Sequence, residues 1–293
     1  MTLSRRPGPS RRVRVREVTR DRTREREDRL VTEEPLEIRL GWPGRAAERL
    51  TVTMRTPGHD FELTAGFLFG EGLIAGAGEL HTVAYCTDRT LSSDQKFNVV
   101  TAELCGPPLH EPAGRYAGPT AGSSACGVCG KQSVEEVLAV ATLPRAVADF
   151  VPQGRAGRPA VPAEVIAALP DRLREAQKVF RTTGGLHASA LFDADGTPVV
   201  VREDVGRHNA VDKVVGSRVL AGLPTDLPVL CVSGRIGFEL AQKAVTAGVG
   251  VIAAVGAPSS LAVQLAESAG LCTVGFVRED RFVVYTEHDR IGV

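Results

Sequence analysis

The chain has 293 residues with 35 basic and 35 acidic side chains, so its formal net charge is zero. This balance argues against a whole-protein field that would gather nucleic acid or an anionic membrane. The apolar stretches are interrupted well short of the ~20 residues that a membrane span needs. We therefore expect a soluble protein of one large or two ordinary domains.

The compartment follows from the N-terminus and from the cysteine content. Residues 1–29 contain no apolar region of the kind that a secretory signal has. Six cysteines in a chain of this length are too sparse for a disulfide scaffold. A cytoplasmic location is expected, where closely spaced cysteines are chemical or metal-binding.

The zero net charge is a sum of two unlike parts. Residues 1–29 hold eleven arginines and five acids, net +6, and the remainder holds 24 bases and 30 acids, net −6. Since the first segment has almost nothing apolar to bury, its composition predicts a disordered Arg-rich tail. Such a tail is either simply solvated or docks an acidic partner or RNA.

Residues 30–142 are predicted to form an N-terminal lobe of mixed α+β structure. Apolar alternation predicts strands over 36–40 and 50–54, and further short strands are expected over 81–86 and 96–101. Asp60 is expected to cap a helix that ends near Gly72. A Gly/Pro/Ala/Ser-rich stretch over 106–130 is too long for an ordinary connection and precedes a helix that begins near Ser133. Residues 143–162, with four prolines, are expected to cross over between lobes.

Residues 163–293 alternate strands with helices, and the strands are almost continuously apolar. This pattern predicts an α/β lobe with a largely parallel sheet. The predicted helices are 163–180 with a break near Pro170, 207–220, 238–247 and 259–269, and the predicted strands are 186–192, 198–202, 228–232, 249–255, 271–277 and 282–286.

The most reactive pattern is the C-x-x-C pair of Cys126 and Cys129, which Lys131 follows. A thiolate is the reactive form of cysteine, and Lys131 and the helix start near Ser133 would each stabilise it by roughly 0.3–1 kcal/mol. The flanking glycines permit unusual backbone conformations, so the sulfurs can lie at the tip of a mobile loop. Such a thiol could react with two partners in turn.

Other interpretations of the cysteine pair remain open. A zinc site needs two more ligands, and Cys86 and Cys105 lack the spacing of a zinc knuckle. A thioredoxin-like pair usually begins a helix directly after a buried strand, whereas Gly130 separates this pair from its helix. An incidental buried pair is the third alternative.

Several turns that join a strand to a helix are candidates for binding an anionic ligand. Strand ends that face helix N-termini are where α/β folds bind ligands, and small residues with hydroxyls there suit phosphate. Ordinary capping and surface ion pairing are the alternative. The candidate residues in these turns are Gly185, His187, Arg202, Arg207, His208, Ser233, Arg235 and Ser259, to which the C-terminal segment Phe276, Val277, Arg278, Glu279, Asp280 and Arg281 is added.

Two further functional motifs were considered, a dinucleotide-binding fingerprint and a zinc deaminase motif, and the sequence supports neither. Residues 248–253 fit a dinucleotide fingerprint, but they follow a helix and enter a strand, the reverse of the required order. A zinc nucleobase deaminase needs H-x-E, and neither His187 nor His208 has Glu two residues later. No metal site is predicted.

Taken together, the sequence segments described above resemble those of the formate dehydrogenase accessory sulfurtransferase family, FdhD. The resemblance covers nearly everything from residue 30 onward. The matching segments are Thr56–Asp60, Ala65–Leu68 with Glu71-Gly72, Cys126–Lys131, Thr183–His187, Arg202–Lys213, Ser233–Lys243, Gly256–Leu261 and Arg281–Thr286.

The resemblance implies a sulfur carrier with a cytidine-deaminase-like three-layer α/β core that lacks the zinc chemistry. Such a carrier takes persulfide sulfur from a cysteine desulfurase and passes it to molybdenum held by two molybdopterin guanine dinucleotides. This cofactor is bound as a substrate through its GDP-like moiety, with no cofactor bound permanently, and is then inserted into the catalytic subunit of formate dehydrogenase. Members act as homodimers, and neither nucleic acid nor membrane is an expected partner.

The resemblance also assigns residues. Cys126 is similar to the persulfide-bearing cysteine and Cys129 to its helper, while Phe276–Arg281 is similar to the cofactor-binding stretch. Two alternative functions stay open at this point. One is a chaperone that binds the cofactor without moving sulfur, and the other is a thiol-disulfide oxidoreductase.

Overall fold

The computed structural model describes residues 7–87, 96–112 and 160–292. Cys126 and Cys129 lie outside the described residues, as do the helix predicted near Ser133 and nearly all of the predicted crossover segment.

The N-terminal segment forms a hairpin where its composition predicts disorder. Strand β1 (Ser10–Val18) pairs antiparallel with β2 (Thr23–Val31) over nine residue pairs. Ion pairs across the strands, such as Arg16 with Glu25 at 3.7 Å, offset the scarcity of apolar contacts. The amino-acid composition of the segment predicts disorder because it counts the charged residues without their order. It does not show that they alternate along the chain with the two-residue period of a strand.

A four-stranded sheet and one helix build the N-terminal lobe. Within β3, residues Leu36, Ile38 and Leu40 are buried, as the apolar alternation predicts. Helix α1 begins directly after His59, and its first turn contains Asp60. The elements are β3 (Glu34–Trp42), β4 (Arg45–Arg55), α1 (Asp60–Gly70), β5 (Leu80–Tyr85) and β6 (Val99–Leu104), with the sheet order β4-β3-β6-β5.

The C-terminal lobe contains a six-stranded sheet and a short parallel pair that joins its two chain ends. The elements in chain order are β7 (Val161–Pro162), α2 (Ala163–Ala176), α3 (Phe180–Thr183), β8 (His187–Phe192), β9 (Pro198–Asp204), α4 (Arg207–Leu220), β10 (Val229–Val232), α5 (Phe238–Thr246), β11 (Val251–Ala254), α6 (Ser260–Ala269), β12 (Cys272–Gly275), β13 (Val283–Thr286) and β14 (Ile291–Gly292).

The six-stranded sheet is mixed, where the sequence predicts a largely parallel one. Its order is β13-β12-β11-β10-β8-β9, and only β10, β11 and β12 run parallel to one another. The other neighbours are antiparallel because β8 joins β9, and β12 joins β13, through connections too short for a parallel crossover.

Helices cover both faces of this sheet. Helix α2 lies on one face, and α4, α5 and α6 lie on the other. Helix α2 continues through Pro170, where a break is predicted, because Ile166, Leu169 and Leu173 bury its apolar side against the sheet. None of the helices within the described ranges is long and apolar enough to span a membrane.

The two lobes share one hydrophobic core. Buried residues of β3 and α1 belong to the same cluster as those of α4 and the six-stranded sheet. Helices α1 and α4 cross at Gly66 and Gly216, where a Cβ would overlap the carbonyl oxygen of the facing helix. This close crossing holds the N-terminal lobe against the edge of the sheet where β9 ends.

Candidate functional site

The predicted ligand-binding turns all lie at one edge of the six-stranded sheet. Strands β9, β10, β11 and β12 end there, and β8 begins there because it runs antiparallel to β10. His187 is in register with Asp204, and Ser189 is in register with Val232. We call this edge the carboxyl edge.

Three helices also begin at the carboxyl edge. Helices α4, α5 and α6 follow the caps Gly206, Gly237 and Ser259. The amides of a first helical turn have no partner within the helix and carry partial positive charge, which suits an anion. The Ser259 hydroxyl accepts a hydrogen bond from the Ala262 amide at 3.3 Å, so this predicted ligand contact serves as a helix cap.

Arginine side chains add full positive charge to the carboxyl edge. Arg235 and Arg281 are exposed, and Arg207 is half-buried. Within the described part of the chain, none of the three forms an ion pair with a carboxylate. These side chains can bind phosphate oxygens without first breaking a bond to the protein.

Other predicted contacts are engaged within the protein. Arg202 donates to Glu62 at 2.7 Å between Nη2 and Oε1, and His208 Nε2 lies 3.0 Å from a carboxylate oxygen of Glu239. Gly185 is exposed beside the base of the N-terminal hairpin, where a Cβ would lie 3.1 Å from Val31.

The segment from Phe276 to Arg281 is a tight turn between β12 and β13. Phe276 has a left-handed backbone with φ of 52° and is 37% exposed, and its amide donates to the Gly256 carbonyl at 3.1 Å. The Arg278 amide donates to the Arg281 carbonyl at 2.8 Å, which closes the turn. The side chain of Val277 is fully buried in the core, while Glu279 and Asp280 are exposed at the tip.

Residue Arg278 is also partly committed to the backbone. Its Nη1 donates to the carbonyls of Val255 at 2.9 Å and Val277 at 2.7 Å. These bonds hold the guanidinium beside the turn after β11. A conformation that is rare for a residue with a side chain, as at Phe276, often marks a functional site.

The half-buried His187 lies at the centre of the edge. Its Nδ1 is 3.5 Å from the Ser233 hydroxyl, which accepts a hydrogen bond from the Ala188 amide at 2.9 Å. Burial lowers the pKa of His187, and the Arg207 charge lowers it further, although Asp204 acts in the opposite direction. At neutral pH His187 is therefore a neutral hydrogen-bonding group.

Asp204 organises this edge, and it is not among the residues that the sequence predicts for the site. Its fully buried carboxylate accepts from Lys213 Nζ at 2.6 Å, from the Thr56 amide at 3.1 Å and from the Gly206 amide at 2.8 Å. It thereby ties the loop before α1 to the start of α4. The residue lay within a segment that was singled out, but burial, which distinguishes it from a surface cap, cannot be read from one sequence.

A second connection runs through Glu62 on α1. His59, which has a left-handed φ of 58°, lies 3.0 Å from Glu62, and Arg202 binds the same carboxylate. Burial alone would raise the pKa of Glu62, but hydrogen bonds from Arg202 and His59 lower it to about 2. Glu62 therefore stays ionised at neutral pH.

The described cysteines offer little nucleophilic reactivity near the carboxyl edge. Burial raises the pKa of Cys231 and of Cys272 to about 12 each. No group of three or more His, Cys, Asp or Glu residues in the described ranges could hold a metal ion. The carboxyl edge is thus suited to binding an anion, and among its described residues Cys231 is too deeply buried to act as a sulfur nucleophile.

Comparisons with known proteins agree with the resemblance seen in the sequence. The model of the FdhD/NarQ family matches residues 31–292. Sulfur carrier protein FdhD of Mycolicibacterium paratuberculosis is 50% identical over 287 residues, which cover 96% of this chain and 98% of the relative. The protein of the same name from Streptomyces coelicolor is 49% identical over 269 residues, or 92% and 90% of the two chains.

One solved structure shares the fold. A crystal structure from Desulfotalea psychrophila, assigned to a formate dehydrogenase accessory protein, superposes with a TM-score of 0.69 and 22% identity and covers 97% of this chain and 99% of the other. Because the family model matches residues 31–292 of the 293 and the relatives are about half identical, this chain belongs to the FdhD/NarQ family.

Proposed function

We propose that this protein is a sulfur carrier that matures formate dehydrogenase by delivering persulfide sulfur to a molybdenum cofactor. The observation that carries this proposal is the carboxyl edge, where three helix N-termini meet Arg207, Arg235 and Arg281, none of which forms an ion pair with a carboxylate of the described residues. This arrangement suits the diphosphate of a guanine dinucleotide. The names of the relatives and the family membership support the sulfur-carrier role.

The sulfur would be carried by Cys126. Its thiolate attacks the outer sulfur of a cysteine desulfurase persulfide, a new S–S bond forms, and the desulfurase cysteine leaves as a thiolate. When the terminal sulfur is later delivered as sulfide, cleavage of the Cys126 persulfide takes up two electrons. Cys129 can supply them as a thiolate that forms a disulfide with Cys126, and a thiol reductant then restores both.

The cofactor is a substrate in this scheme, held as molybdenum bis-molybdopterin guanine dinucleotide. Exposed Phe276 offers a ring on which a guanine base can stack, beside Arg281 for its phosphates. A cytidine-deaminase-like core, with helices on both faces of its sheet, would position these groups. We propose a cytoplasmic homodimer whose partners are a cysteine desulfurase and the catalytic subunit of formate dehydrogenase.

Sulfur transfer is tested by intact-mass measurement after incubation with a desulfurase, pyridoxal phosphate and cysteine. The wild type should gain one sulfur, about 32 Da by the mass of that atom, and Cys126→Ala should not. Cys105→Ala, which removes an exposed cysteine, is the matched control and should gain sulfur normally. An unchanged adduct in Cys126→Ala would remove this residue from the mechanism.

Nucleotide binding at the carboxyl edge is tested with GDP by calorimetry. We expect Arg235→Gln/Arg281→Gln to weaken GDP binding at least about tenfold, because each lost phosphate contact removes roughly 1.5–3 kcal/mol. Arg49→Gln/Lys178→Gln removes the same charge from other exposed positions and should bind like the wild type. Equal affinity of all three proteins would place the nucleotide elsewhere.

A cofactor chaperone that moves no sulfur is the second candidate, because the carboxyl edge alone would suffice for it. It predicts that a Cys126→Ala/Cys129→Ala variant still supports formate dehydrogenase activity. A thiol-disulfide oxidoreductase would instead reduce a generic disulfide substrate and require both cysteines. Formate dehydrogenase activity matured by the double variant separates the chaperone from the other two, and reduction of a generic disulfide separates the oxidoreductase from the sulfur carrier.

A further inference from the structure

We propose that the tip of the β1–β2 hairpin of one copy docks into a cavity at the opposite edge of the sheet of a second copy. The hairpin is called the arm below, and its tip is residues 18–22. The docking is a property of the whole chain that does not depend on sulfur transfer. It rests on the exposure of the arm, on its charge and on a cavity of matching chemistry.

The arm projects from the body, and few contacts with the rest of the chain stabilise it. Each strand has nine residues, so the arm is about 30 Å long at ~3.4 Å per residue. Its contacts with the body are near its base, where Val31 lies against Gly185 and β2 packs beside α3. An isolated two-stranded hairpin is marginally stable in water, so a surface that covers it would contribute to its order.

The charges of the arm point outward. Residues 7–31 contain nine arginines and five acids, net +4. Arg12 and Arg29 lie directly opposite each other across the two strands, an arrangement of like charges that is unfavourable within a hairpin. At the tip, Arg20 and Arg22 are exposed and form no ion pair with any carboxylate of the described residues. Such charges are best satisfied by an acidic surface outside the arm.

The apolar residues of the arm indicate a protein surface as its partner. Val18, at the tip, is 70% exposed, and Leu30 is 43% exposed. Apolar side chains beside arginines are typical of protein interfaces. Charged edges discourage strand addition, so the contact is assigned to side chains.

The body of this chain offers a complementary surface. Residues 32–293 carry a net charge of −6. Where β10 and β11 begin, an open cavity of about 250 Å³ is lined by Val161, Pro228 and Val251, together with Ala194, Gly250, Asp226 and Arg290. The carboxylates of Asp193 and Asp195 flank Ala194 in the neighbouring turn.

The fit between tip and cavity is therefore both apolar and electrostatic. Val18 would contact the apolar residues of the lining, and Arg20 and Arg22 would lie beside Asp193, Asp195 and Asp226, three carboxylates against the single cation of the lining, Arg290. A second copy satisfies this charge pattern because each chain supplies both an arm and a cavity, which permits a reciprocal twofold pair. Since the cavity lies at the edge opposite the carboxyl edge, docking leaves the ligand site open.

Photo-crosslinking in the full-length protein tests the pairing directly. Val18 is replaced by benzoyl-phenylalanine, and equal amounts of ¹⁴N- and ¹⁵N-labelled protein are mixed and irradiated. We expect mixed-isotope adducts between position 18 and peptides that contain residues 194 or 226. Adducts confined to one chain, adducts elsewhere on the body, or no adducts would overturn the proposal.

Sedimentation velocity gives the second measurement. Val18→Ser/Arg20→Gln/Arg22→Gln should weaken self-association at least about tenfold, as should Asp226→Asn combined with Ala194→Trp, which fills the cavity. Combining both sets should weaken it no further, since they remove one contact. Arg49→Gln/Lys178→Gln is the charge-matched control. Self-association of the tip variant equal to that of the wild type would also contradict the docking.

Discussion

At the scale of single residues, the buried Asp204 carboxylate determines how the carboxyl edge is held. Its partners are two amides, the Asn209 side chain and Lys213, and Lys213 is itself only 1% exposed. Removing one member of a buried ion pair leaves the other charge without a partner in a dry environment. The sequence could not reveal this because Asp204 looks like an ordinary residue of a strand-to-helix turn.

We predict that Asp204→Asn lowers the free energy of unfolding by about 3 kcal/mol, measured by urea denaturation. Lys213→Met should cost a similar amount, and the double variant should cost less than the two together, since it leaves no unpaired charge. GDP affinity of the folded Asp204→Asn protein should also fall, because the carboxamide has one acceptor oxygen and can no longer accept from both the Gly206 and the Thr56 amides. Strictly additive losses would contradict a coupled pair.

Glu62 predicts a pH dependence of stability. Its pKa is about 2 in the folded protein, whereas an unfolded glutamate titrates near 4.3. The unfolded state therefore binds more protons between these values, so stability is present above about pH 4.3 and is lost as the pH falls towards 2. The difference corresponds to about 3 kcal/mol, of which solvent screening leaves about 1–2 kcal/mol.

The Glu62→Gln variant should therefore lose about 1–2 kcal/mol of stability at pH 7 and show a shallower decline between pH 5 and pH 2. Glu267→Gln, at an exposed carboxyl without an ion-pair partner in the described chain, is the control and should follow the wild type. Parallel curves for Glu62→Gln and the wild type would show that the Arg202 contact contributes nothing measurable.

At the scale of elements, the crossing of α1 and α4 depends on two glycines. A Cβ on Gly66 would overlap the carbonyl oxygen of Asp212, and one on Gly216 would overlap that of Glu62. Both obstacles are backbone atoms, which cannot rotate away. We predict that Gly66→Ala or Gly216→Ala costs about 3 kcal/mol or more, in thermal or urea unfolding.

Gly78→Ala is the matched control for the crossing. A Cβ there would meet no atom within 4 Å, so its effect should stay within about 0.5 kcal/mol. Unchanged stability of both crossing variants would mean that the helices can separate without loss of packing.

The elements also show what one sequence can predict. The helix predicted over 207–220 agrees with α4, and the strands predicted over 36–40 and 282–286 correspond to β3 and β13. In β3 the apolar alternation reports directly on burial. The arm was missed because its strands carry charge where a strand usually carries apolar residues. The gathering of the turns at one edge could be predicted, but the internal partners of Arg202 and His208 depend on tertiary contacts.

At the scale of the whole molecule, the continuous core makes the described lobes one thermodynamic unit. Buried side chains run without interruption from Ile38 in the N-terminal sheet through Leu68 on α1 to Val214 on α4 and Ile252 in the six-stranded sheet. Separation of the lobes would expose this whole surface, at about 25 cal/mol for each Å² of apolar area. Neither sheet would then have a complete core of its own.

We therefore predict that the lobes unfold together. Trp42, the only tryptophan in the chain, lies in β3 and reports on the N-terminal lobe, while far-UV circular dichroism follows all helices and strands. The two urea transitions should share one midpoint, as a cooperative unit requires. Leu230→Ala, in the six-stranded sheet, should lower both midpoints equally although it lies in the other lobe. A shift of the dichroism midpoint that leaves Trp42 fluorescence unchanged would contradict the shared core.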